Sequence, residues 1–552
     1  MKKKKVALVA VNSRTSHTNL ALYYIKKILN SDAQCDCSLI ELTINENWKY
    51  SLEKLTEETF EYYLFSVYIW NCDYIKELAS MIKEIRPGSK IILGGPEVSY
   101  NMNKWIESDI ADTLINGQAE GFIPSLFTFD EKIFYSKSTP INEIHFPYET
   151  EDYGNLKGRL VYYEASRGCL FNCSYCLSSC SDQKLEYRDI ETVKRDLLTL
   201  ISIKPKIVKM VDRTFNSKRE YAREIWRFLI EQKSPVPFHF EVHPLFLEEE
   251  DFTILKEAPD DLFHFEVGIQ STCEDVLTAV DRPYNWSVEK KNVVALCSLK
   301  NIHTHLDQIV GLPEDNRERA IESFNEILSI KPDEFQLGFL KILPGTSMSQ
   351  KVDFYKMAVN SAPPYEVIQT STMTFEEIKE FYSVERDLNR FYNSHYLIKS
   401  LEFLMGLSGT PWSFFTKLNE FSPEDKTVKQ WQVLGKSLML YCEKYHHEHK
   451  EYIFDLLRLD WCPFASGQNY PNFLRIDDRD LIKTQRRTAY SYFSEKIEGF
   501  SRRDFNHSIL FVPRSKRLIK KMNNNAFLFY RANSIQSYEI TLENLQSVTE
   551  ND

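Results

Sequence analysis

The sequence predicts an α/β fold with three parts: an amino-terminal doubly wound sheet, a partial (βα)6 barrel and a mostly helical carboxyl-terminal domain. Three observations predict it. Short apolar runs alternate with amphipathic helical patterns from residue 4 to about residue 130, a second alternation begins near residue 158, and helical periodicity dominates beyond about residue 350. We predict the three parts at residues 1–135, 158–350 and 351–552, with a linker at 136–157.

Five apolar runs are predicted as strands of the first sheet. They are KVALVAV, CSLIEL, YYLFSVYIW, KIILGGPE and DTLING. Between them, DYIKELASMIKEIRP has the helical pattern, with Ile75, Leu78, Ile82 and Ile85 on one face. This alternation predicts a Rossmann-like sheet, whose ligands bind beyond the carboxyl ends of the strands.

Six further strand candidates follow the linker, whose prolines and polar residues lack periodicity. They are RLVYYEASRG, KIVKMVDR, FHFEVH, LFHFEVGIQ, HLDQIVGL and EFQLGFLKI. Helical patterns such as KREYAREIWRFLIEQ separate them. Six such units predict a partial barrel with its function at the carboxyl ends of the strands. Farther on, residues 375–460 are predicted to be mostly helical, and SILFVP and AFLFYRA are strand-like.

The composition limits the partners and the compartment. The balance of 68 Lys and Arg against 79 Asp and Glu gives a net charge of -11, which disfavours broad binding to nucleic acid or anionic lipid. No run approaches the roughly 18 apolar residues of a membrane span, and the amino terminus turns polar too early for a secretory signal. A cytoplasmic protein acting on a small molecule or peptide is expected, with 11 cysteines that form no disulfide framework.

A loop with four cysteines directly follows the first barrel strand. In SRGCLFNCSYCLSSC, residues 166–180, the thiols belong to Cys169, Cys173, Cys176 and Cys180. Thiolates at this spacing can converge on one metal centre while backbone amides donate to their sulfurs. The alternative is a zinc knot in a non-catalytic binding protein, although zinc sites usually join two separated pairs of ligands.

The spacing Cys169-x3-Cys173-x2-Cys176, with Tyr175 before the last cysteine and a barrel following, resembles the signature of the radical S-adenosylmethionine (SAM) superfamily. The resemblance implies that three thiolates hold a 4Fe-4S cluster and leave one iron open for SAM. Electron transfer into SAM would then release a 5'-deoxyadenosyl radical. Cys180 falls outside the motif and is expected to be a free thiol.

The same resemblance implies SAM contacts near the ends of the barrel strands, in VDRTFN, FHFEVHP, FEVGIQS, HLDQIVGLPED and LKILPGTSM. The residues implied to bind SAM are Tyr175, Asp212, Glu241, Gln270, Ser271, Asp307 and Gly311.

In its layout the whole chain resembles the cobalamin-dependent radical SAM enzymes, in a subfamily whose carboxyl-terminal domain has no known role. Glycine loops in the first sheet are expected to let the corrin ring approach the backbone. The residues implied to bind cobalamin are Ser66, Tyr68, Trp70, Asn71, Gly94, Gly95, Pro96, Glu97, Gly117 and Glu120. Trp70 could equally be a core residue.

One departure concerns the D-x-H-x-x-G motif, which gives a histidine ligand to cobalt in many cobalamin domains. Around His17, Thr15 and Leu20 stand where that motif has Asp and Gly. Cobalamin bound without a histidine ligand is expected, and a relic domain without cofactor is the alternative. His17 is interpreted as an ordinary loop residue.

The resemblance implies methylation of an unactivated carbon, with two SAM molecules consumed and a flavodoxin or ferredoxin as reductant. The alternatives are a rearrangement or methylthiolation, which needs a second cluster that Cys35, Cys37 and Cys72 fit poorly. The substrate is not identified. In the carboxyl-terminal domain, Cys442, His446 and His449 share a helical spacing but read mainly as a solvated face, and RSKRLIKK, residues 514–521, reads as a surface patch.

Overall fold

The computed structural model describes residues 3–180, 184–425, 429–531 and 535–546. The chain divides into two compact units, Met1–Ile378 and Lys379–Asp552. Residues 426–428, 532–534 and 547–552 of the predicted carboxyl-terminal domain lie outside the described residues. The finer division at residues 135, 157 and 350 stays a prediction.

The amino-terminal part of the first unit is a six-stranded sheet with the strand order β2-β1-β3-β4-β5-β6, in which every pair is parallel. The strands are β1 (Lys4–Asn12), β2 (Cys35–Thr43), β3 (Tyr62–Ser66), β4 (Lys90–Gly94), β5 (Thr113–Asn116) and β6 (Ile133–Tyr135). The predicted doubly wound sheet is confirmed. Strand β6 was not predicted, and β3 ends at Ser66 although its apolar run continues to residue 70.

Helices cover this sheet on both faces. They are α1 (Leu20–Asn30), α2 (Trp48–Thr56), α3 (Cys72–Ile85), α4 (Pro96–Tyr100) and α5 (Met102–Glu107). Alternate residues of β1 belong to two separate cores, with Val9 in one and Leu8 in the other. The strand order reverses between β1 and β3, so a crevice opens beyond the carboxyl ends of these two strands.

The second sheet has six parallel strands in consecutive order, with the first and the last at its edges. They are β7 (Leu160–Tyr163), β8 (Ile207–Met210), β9 (Phe238–Glu241), β10 (Phe263–Gln270), β11 (Ile302–Val310) and β12 (Glu334–Phe339). The helices of this region are α6 (Tyr153–Leu156), α7 (Ile190–Ile203), α8 (Arg219–Glu231), α9 (Glu249–Lys256), α10 (Glu274–Ala279), α11 (Trp286–Ser298) and α12 (Arg317–Ser329). All six predicted barrel strands are present.

The barrel strands have two kinds of face. Buried and half-buried residues alternate strictly along β10. The buried set faces the helices, because the ring of Phe265 lies 5.4 Å from that of Trp226 on α8. The half-buried set therefore faces the inner side of the barrel, and it carries polar residues such as His264, Glu266 and Gln270.

The second unit is mostly helical, as predicted. Its helices, with the one that leads into it, are α13 (Phe375–Asp387), α14 (Ile398–Leu407), α15 (Pro411–Leu418), α16 (Trp431–Tyr445), α17 (Lys450–Trp461), α18 (Arg479–Lys496), α19 (Arg502–His507), α20 (Lys516–Lys521) and α21 (Leu542–Gln546). An antiparallel sheet of β13 (Ile509–Phe511), β14 (Asn525–Arg531) and β15 (Ile535–Thr541) packs its own core around Phe493 and Leu528. Within the described ranges, every helix is too short or too polar to cross a membrane.

Candidate active site

The cysteine loop begins beyond the carboxyl end of β7. A short antiparallel pairing of residues 166–167 with 186–187 closes its base. Gly168 then turns the chain with a φ of 101°, and a Cβ at this position would lie 3.1 Å from the Cα of Leu185. Only glycine combines this backbone conformation with so close an approach, so the sequence here fixes the direction in which Cys169 leaves the hairpin.

The surroundings of the thiols favour metal binding. The backbone N–H of Phe171 donates to Cys169 Sγ at 3.4 Å, and the Arg282 Nη1 atom lies 3.9 Å from Cys173 Sγ. Burial raises the pKa of Cys173, and the Arg282 guanidinium opposes this effect. A nearby cation stabilises the thiolate, which is the form that binds metal. The donor set and its charge therefore fit an iron-sulfur cluster.

Cys180 differs from the other three cysteines of the loop. Its thiol donates to the carbonyl oxygen of Cys176 at 3.5 Å, and it directly follows the short helical turn Leu177–Ser179. It also lines a surface cleft on the side of Arg282 and Pro283. That Cys180 stays a free thiol beside a bound cluster remains a prediction.

Asp212, predicted to contact SAM, is buried directly after β8. Its carboxylate accepts hydrogen bonds from the Ser166 hydroxyl at 2.5 Å and from the Ala165 N–H at 3.2 Å. Burial raises the pKa of Asp212 to about 7. The side chain thereby ties β8 to the residues that open the cysteine loop.

The other predicted SAM residues, apart from Tyr175 in the cysteine loop, lie toward the carboxyl ends of the barrel strands. Glu241 ends β9, with its Oε1 atom 3.9 Å from Arg213 Nη1, and Gln270 ends β10 with a φ of 70°. Asp307 on β11 pairs with His305 at 3.2 Å. The Ser271 hydroxyl accepts a hydrogen bond from the Cys273 N–H at 3.2 Å. Gly311 follows β11 with a φ of 86°, and Tyr175 is half-buried.

A cavity of about 700 Å³ opens where the first sheet meets the mouth of the barrel. Both sheets and the cysteine loop contribute to its wall. From the first sheet come Tyr68, Trp70, Pro96, Glu97 and Glu120, from the barrel come Met210, Val211, Arg213 and Glu241, and from the cysteine loop come Leu177 and Ser178. The structure thus brings half of the predicted cobalamin residues and one predicted SAM residue to a single chamber.

Tyr68 and Trp70 form a flat aromatic wall in this cavity. Their rings are stacked with centroids 4.3 Å apart and planes 9° from parallel, and Trp70 is 51% exposed. Trp70 is therefore a cavity residue and not a core residue. The apolar run beyond β3, which looked like a continuation of the strand, leaves the sheet to build this wall.

The remaining predicted cobalamin residues lie at the carboxyl ends of the strands and in the turns that follow them. Ser66 and Gly94 are the last residues of β3 and β4, and the turn residues are Asn71, Gly95 and Gly117. Asn71 donates to the carbonyl oxygen of Val11 at 2.9 Å and accepts from the N–H of Tyr68 at 2.7 Å. Gly95 has a φ of 108°, and a Cβ there would lie 2.5 Å from the carbonyl oxygen of Val67. This glycine accommodates the backbone just beyond β3. The expected approach of a corrin ring stays a prediction.

Two residues with contacts at this site were missed in the sequence. Arg167 bonds to Glu164 at 2.7 Å and to Glu120 at 3.2 Å, which joins the cysteine loop to the first sheet. Tyr365 donates to Glu97 Oε1 at 2.5 Å. Neither Arg167 nor Tyr365 belongs to a periodic sequence pattern. The one signal that could have pointed to Arg167 is its position directly before Gly168.

The weaker candidates have ordinary contacts. His17 lines the cavity with its Nδ1 atom 3.0 Å from the Tyr162 hydroxyl. The Cys442 thiol donates to the His446 carbonyl oxygen at 3.3 Å, whereas the His449 ring packs 5.3 Å from that of Phe403. RSKRLIKK forms the short helix α20.

Three family models match the chain. The B12 binding domain matches residues 6–127, the Radical SAM superfamily matches residues 163–327, and a protein of unknown function (DUF4080) matches residues 353–534. The first two families imply the cofactors cobalamin, a 4Fe-4S cluster and SAM, and their matches run from the first to the fifth strand of each of the two sheets that face the cavity.

Known proteins are similar at low identity. The cobalamin-dependent radical SAM methyltransferase TokK of Streptomyces tokunonensis is 20% identical over 61% of this chain and 56% of its own length. A tRNA-2-methylthio-N(6)-dimethylallyladenosine synthase of Vibrio vulnificus is 21% identical over 48% of this chain and 58% of its own. The chain therefore spans less than two thirds of either relative. The solved structure of the methyltransferase TsrM of Kitasatospora setae, with cobalamin and a 4Fe-4S cluster bound, shares the fold with a TM-score of 0.56 and 14% identity, over 83% of this chain and 99% of that one.

Proposed function

We propose that the chain, whose sequence matches the B12 binding domain and the Radical SAM superfamily, is a cobalamin-dependent radical SAM enzyme that transfers a methyl group from SAM to an unactivated carbon of a small-molecule or peptide substrate. The single observation that carries this proposal is the shared cavity. Residues beyond β3 and β4 and residues of the barrel mouth line one chamber of about 700 Å³. A methyl donor on one wall and a carbon radical at the other could meet there.

Cys169, Cys173 and Cys176 would hold the cluster in this proposal, with Arg282 offsetting the charge of their thiolates. When bound, the cluster and SAM supply a 5'-deoxyadenosyl radical, and cobalamin supplies the methyl group. Glu241 would attract the cationic SAM from the cavity wall. Asp212 would position the start of the cysteine loop and would not contact SAM directly, because its oxygens accept hydrogen bonds from Ser166 and Ala165.

The Tyr68 and Trp70 wall would bind one face of the corrin through flat aromatic contact. Glu97 would act indirectly, because its carboxylate is engaged by Tyr365 and, at 3.1 Å, by the side chain of Asn101. Glu120 would act in the same way through its pairing with Arg167. These contacts make the cavity wall rigid before any ligand enters.

The rival methylthiolation is less well supported. It needs a second cluster near the amino terminus, yet Cys35 packs in the core on one face of the first sheet and Cys72 in the core on the other face. Because the sheet separates these thiols, they cannot ligate one cluster without unfolding it.

The zinc alternative for the cysteine loop is also disfavoured by geometry. Thiolates around one zinc ion lie about 3.8 Å apart, as tetrahedral bonds of about 2.3 Å require. Among the described residues, the groups of three or more ligand atoms within 4.8 Å of one another include no cysteine. Three thiolates on three different irons of a cluster lie farther apart than the ligands of one ion, so a cluster is compatible with this spacing.

A reductant is required, because SAM cleavage consumes an electron that the chain itself does not supply. We propose a low-potential carrier of the flavodoxin or ferredoxin type.

The test compares two cysteines of the same loop. The anaerobically reconstituted protein should bind about four irons, the content of one 4Fe-4S cluster, and form 5'-deoxyadenosine from SAM with a chemical reductant. Cys173→Ala should lose both properties, because two thiolates cannot hold the cluster firmly. The matched control Cys180→Ala should keep both.

Retained SAM cleavage in Cys173→Ala would remove the assignment of the cluster. Loss of iron in Cys180→Ala to the same extent would instead make the fourth thiol a ligand, which the radical SAM assignment does not allow.

A further inference from the structure

A second group of ligand-type side chains lies at the other end of the barrel. His264 is the second residue of β10, His303 is the second residue of β11, and the two are register partners on the parallel strands. Asp261 lies just before β10. These positions are at the amino-terminal ends of the strands, whereas the cavity and the cysteine loop lie at the carboxyl ends.

The three side chains converge. His264 Nε2 lies 2.8 Å from Asp261 Oδ1, and the two imidazole rings lie 4.6 Å apart. One ligand atom from each of the three residues lies within 4.8 Å of the other two, and within the described part of the chain this is the one such group of histidine, cysteine or acidic side chains. Two imidazoles and one carboxylate are a donor set typical of zinc and other divalent transition metals.

We propose that Asp261, His264 and His303 bind one divalent transition-metal ion of the zinc class. Tetrahedral bonds of 2.0–2.2 Å require donor atoms about 3.4 Å apart, so small side-chain rotations close the site around the ion. Water fills the fourth position.

The surroundings suit a bound ion. Glu334 Oε1 lies 3.5 Å from His303 Nε2, and a carboxylate beside a ligating imidazole orients its ring. The side chain of Asp261 is 72% exposed, which gives the ion a path from solvent. The side chains of His264 and His303 are mostly buried, with exposed fractions of 21% and 25%.

The backbone also holds the carboxylate in place. Asp261 adopts a φ of 63°, and its N–H donates to the carbonyl oxygen of Asn301 at 3.0 Å. This bond links the turn before β10 to the turn before β11. The ion would therefore clamp these two strands at the end of the barrel away from the chemistry, and the proposal does not depend on the proposed function.

The test counts zinc and iron separately on the reconstituted protein. Preparations with a full cluster, so that the loop thiols are occupied, are washed with chelator and dialysed against Zn²⁺ alone. We expect one zinc per chain by mass spectrometry of the metals. His264→Gln should lose it, and Asp261→Asn should weaken the zinc affinity at least tenfold, because asparagine tolerates the positive φ but lacks the charge. The exposed His145→Gln is the control.

The thermal midpoint is a second readout, which separates a loss of zinc binding from poor folding of a variant. Zinc should raise the thermal midpoint of the wild type and of His145→Gln but not that of Asp261→Asn, whose exposed side chain makes misfolding an improbable cause of the difference. Equal zinc affinity in the wild type and Asp261→Asn, or no zinc retained by the wild type, would overturn the proposal. Asp261 and His264 would then be an ordinary pair of interacting side chains with His303 beside them.

Discussion

The buried carboxyl groups of Asp212 and Glu241 differ in their accessibility to a ligand in the cavity. Burial raises the pKa of both Asp212 and Glu241 to about 7. The oxygens of Asp212 are occupied by Ser166 and Ala165, whereas Glu241 lies on the cavity wall with Arg213 at 3.9 Å. Glu241 is therefore the carboxyl whose ionisation a bound ligand would feel.

Replacing Glu241 should change how SAM binding depends on pH. Above a pH of about 7 the Glu241 carboxylate is charged and attracts the cationic SAM, and below it the protonated form does not. The affinity for SAM should rise with pH through this range in the wild type. In Glu241→Gln it should be about tenfold weaker at pH 8, or about 1.4 kcal/mol, with the difference shrinking below pH 6.

Equilibrium dialysis of SAM from pH 5.5 to 8.5 measures this. The control is Glu224→Gln on α8, an exposed carboxylate far from the cavity wall, which should match the wild type at every pH. A pH profile of Glu241→Gln that parallels the wild type would rule out this role.

At the scale of elements, the segment after β12 supports the turn between β4 and α4. The N–H of Ile342 donates to the Tyr365 carbonyl oxygen at 2.8 Å, and the N–H of Val367 donates to that of Leu340 at 2.9 Å. This short antiparallel contact positions the Tyr365 hydroxyl on Glu97, which is 3% exposed. A wall of the cavity is thus held by residues far along the chain.

Tyr365→Phe should weaken this support. A hydrogen bond to a charged group contributes about 1.5–3 kcal/mol, so the free energy of unfolding of the first unit should fall by that amount. Cobalamin retained after gel filtration should also decrease. Urea unfolding followed by fluorescence measures the first effect, and Tyr135→Phe, a change at a 71% exposed tyrosine, is the control. Unchanged stability in Tyr365→Phe would mean that Glu97 is held by Asn101 alone.

At the scale of the whole molecule, the two sheets were predictable because their strands are apolar runs separated by amphipathic helices. Strand β6 was missed because its three residues are half-exposed or exposed and have no alternation. The end of β3 was misplaced because the same apolar side chains that would extend a strand here line a cavity. Pattern alone cannot separate these two uses of an apolar run.

The cysteine loop could be found because its signal is local. The contacts that complete the site are not local, since Arg167 and Glu120 are 47 positions apart and Tyr365 and Glu97 are 268 apart. Such pairs depend on how the sheets and the segment after β12 pack. For the same reason, the histidine and aspartate group at the amino-terminal ends of β10 and β11 went unnoticed, because His303 meets the other two residues only through strand register.

The central claim is that the Tyr68 and Trp70 wall and the cysteine loop share one cavity, and magnetic coupling between the two proposed cofactors tests it most directly. The protein is reconstituted with the cluster, loaded with cobalamin in its paramagnetic Co(II) state and freed of excess by gel filtration. Electron paramagnetic resonance is then recorded before and after reduction of the cluster. We predict one cobalt per chain, and a cobalt signal that broadens and relaxes faster on reduction in the wild type and in Cys180→Ala but not in Cys173→Ala. The account would be contradicted if the protein held one cobalt per chain and a reduced cluster whose signals were independent of each other. Loss of the cobalt on gel filtration would also contradict it.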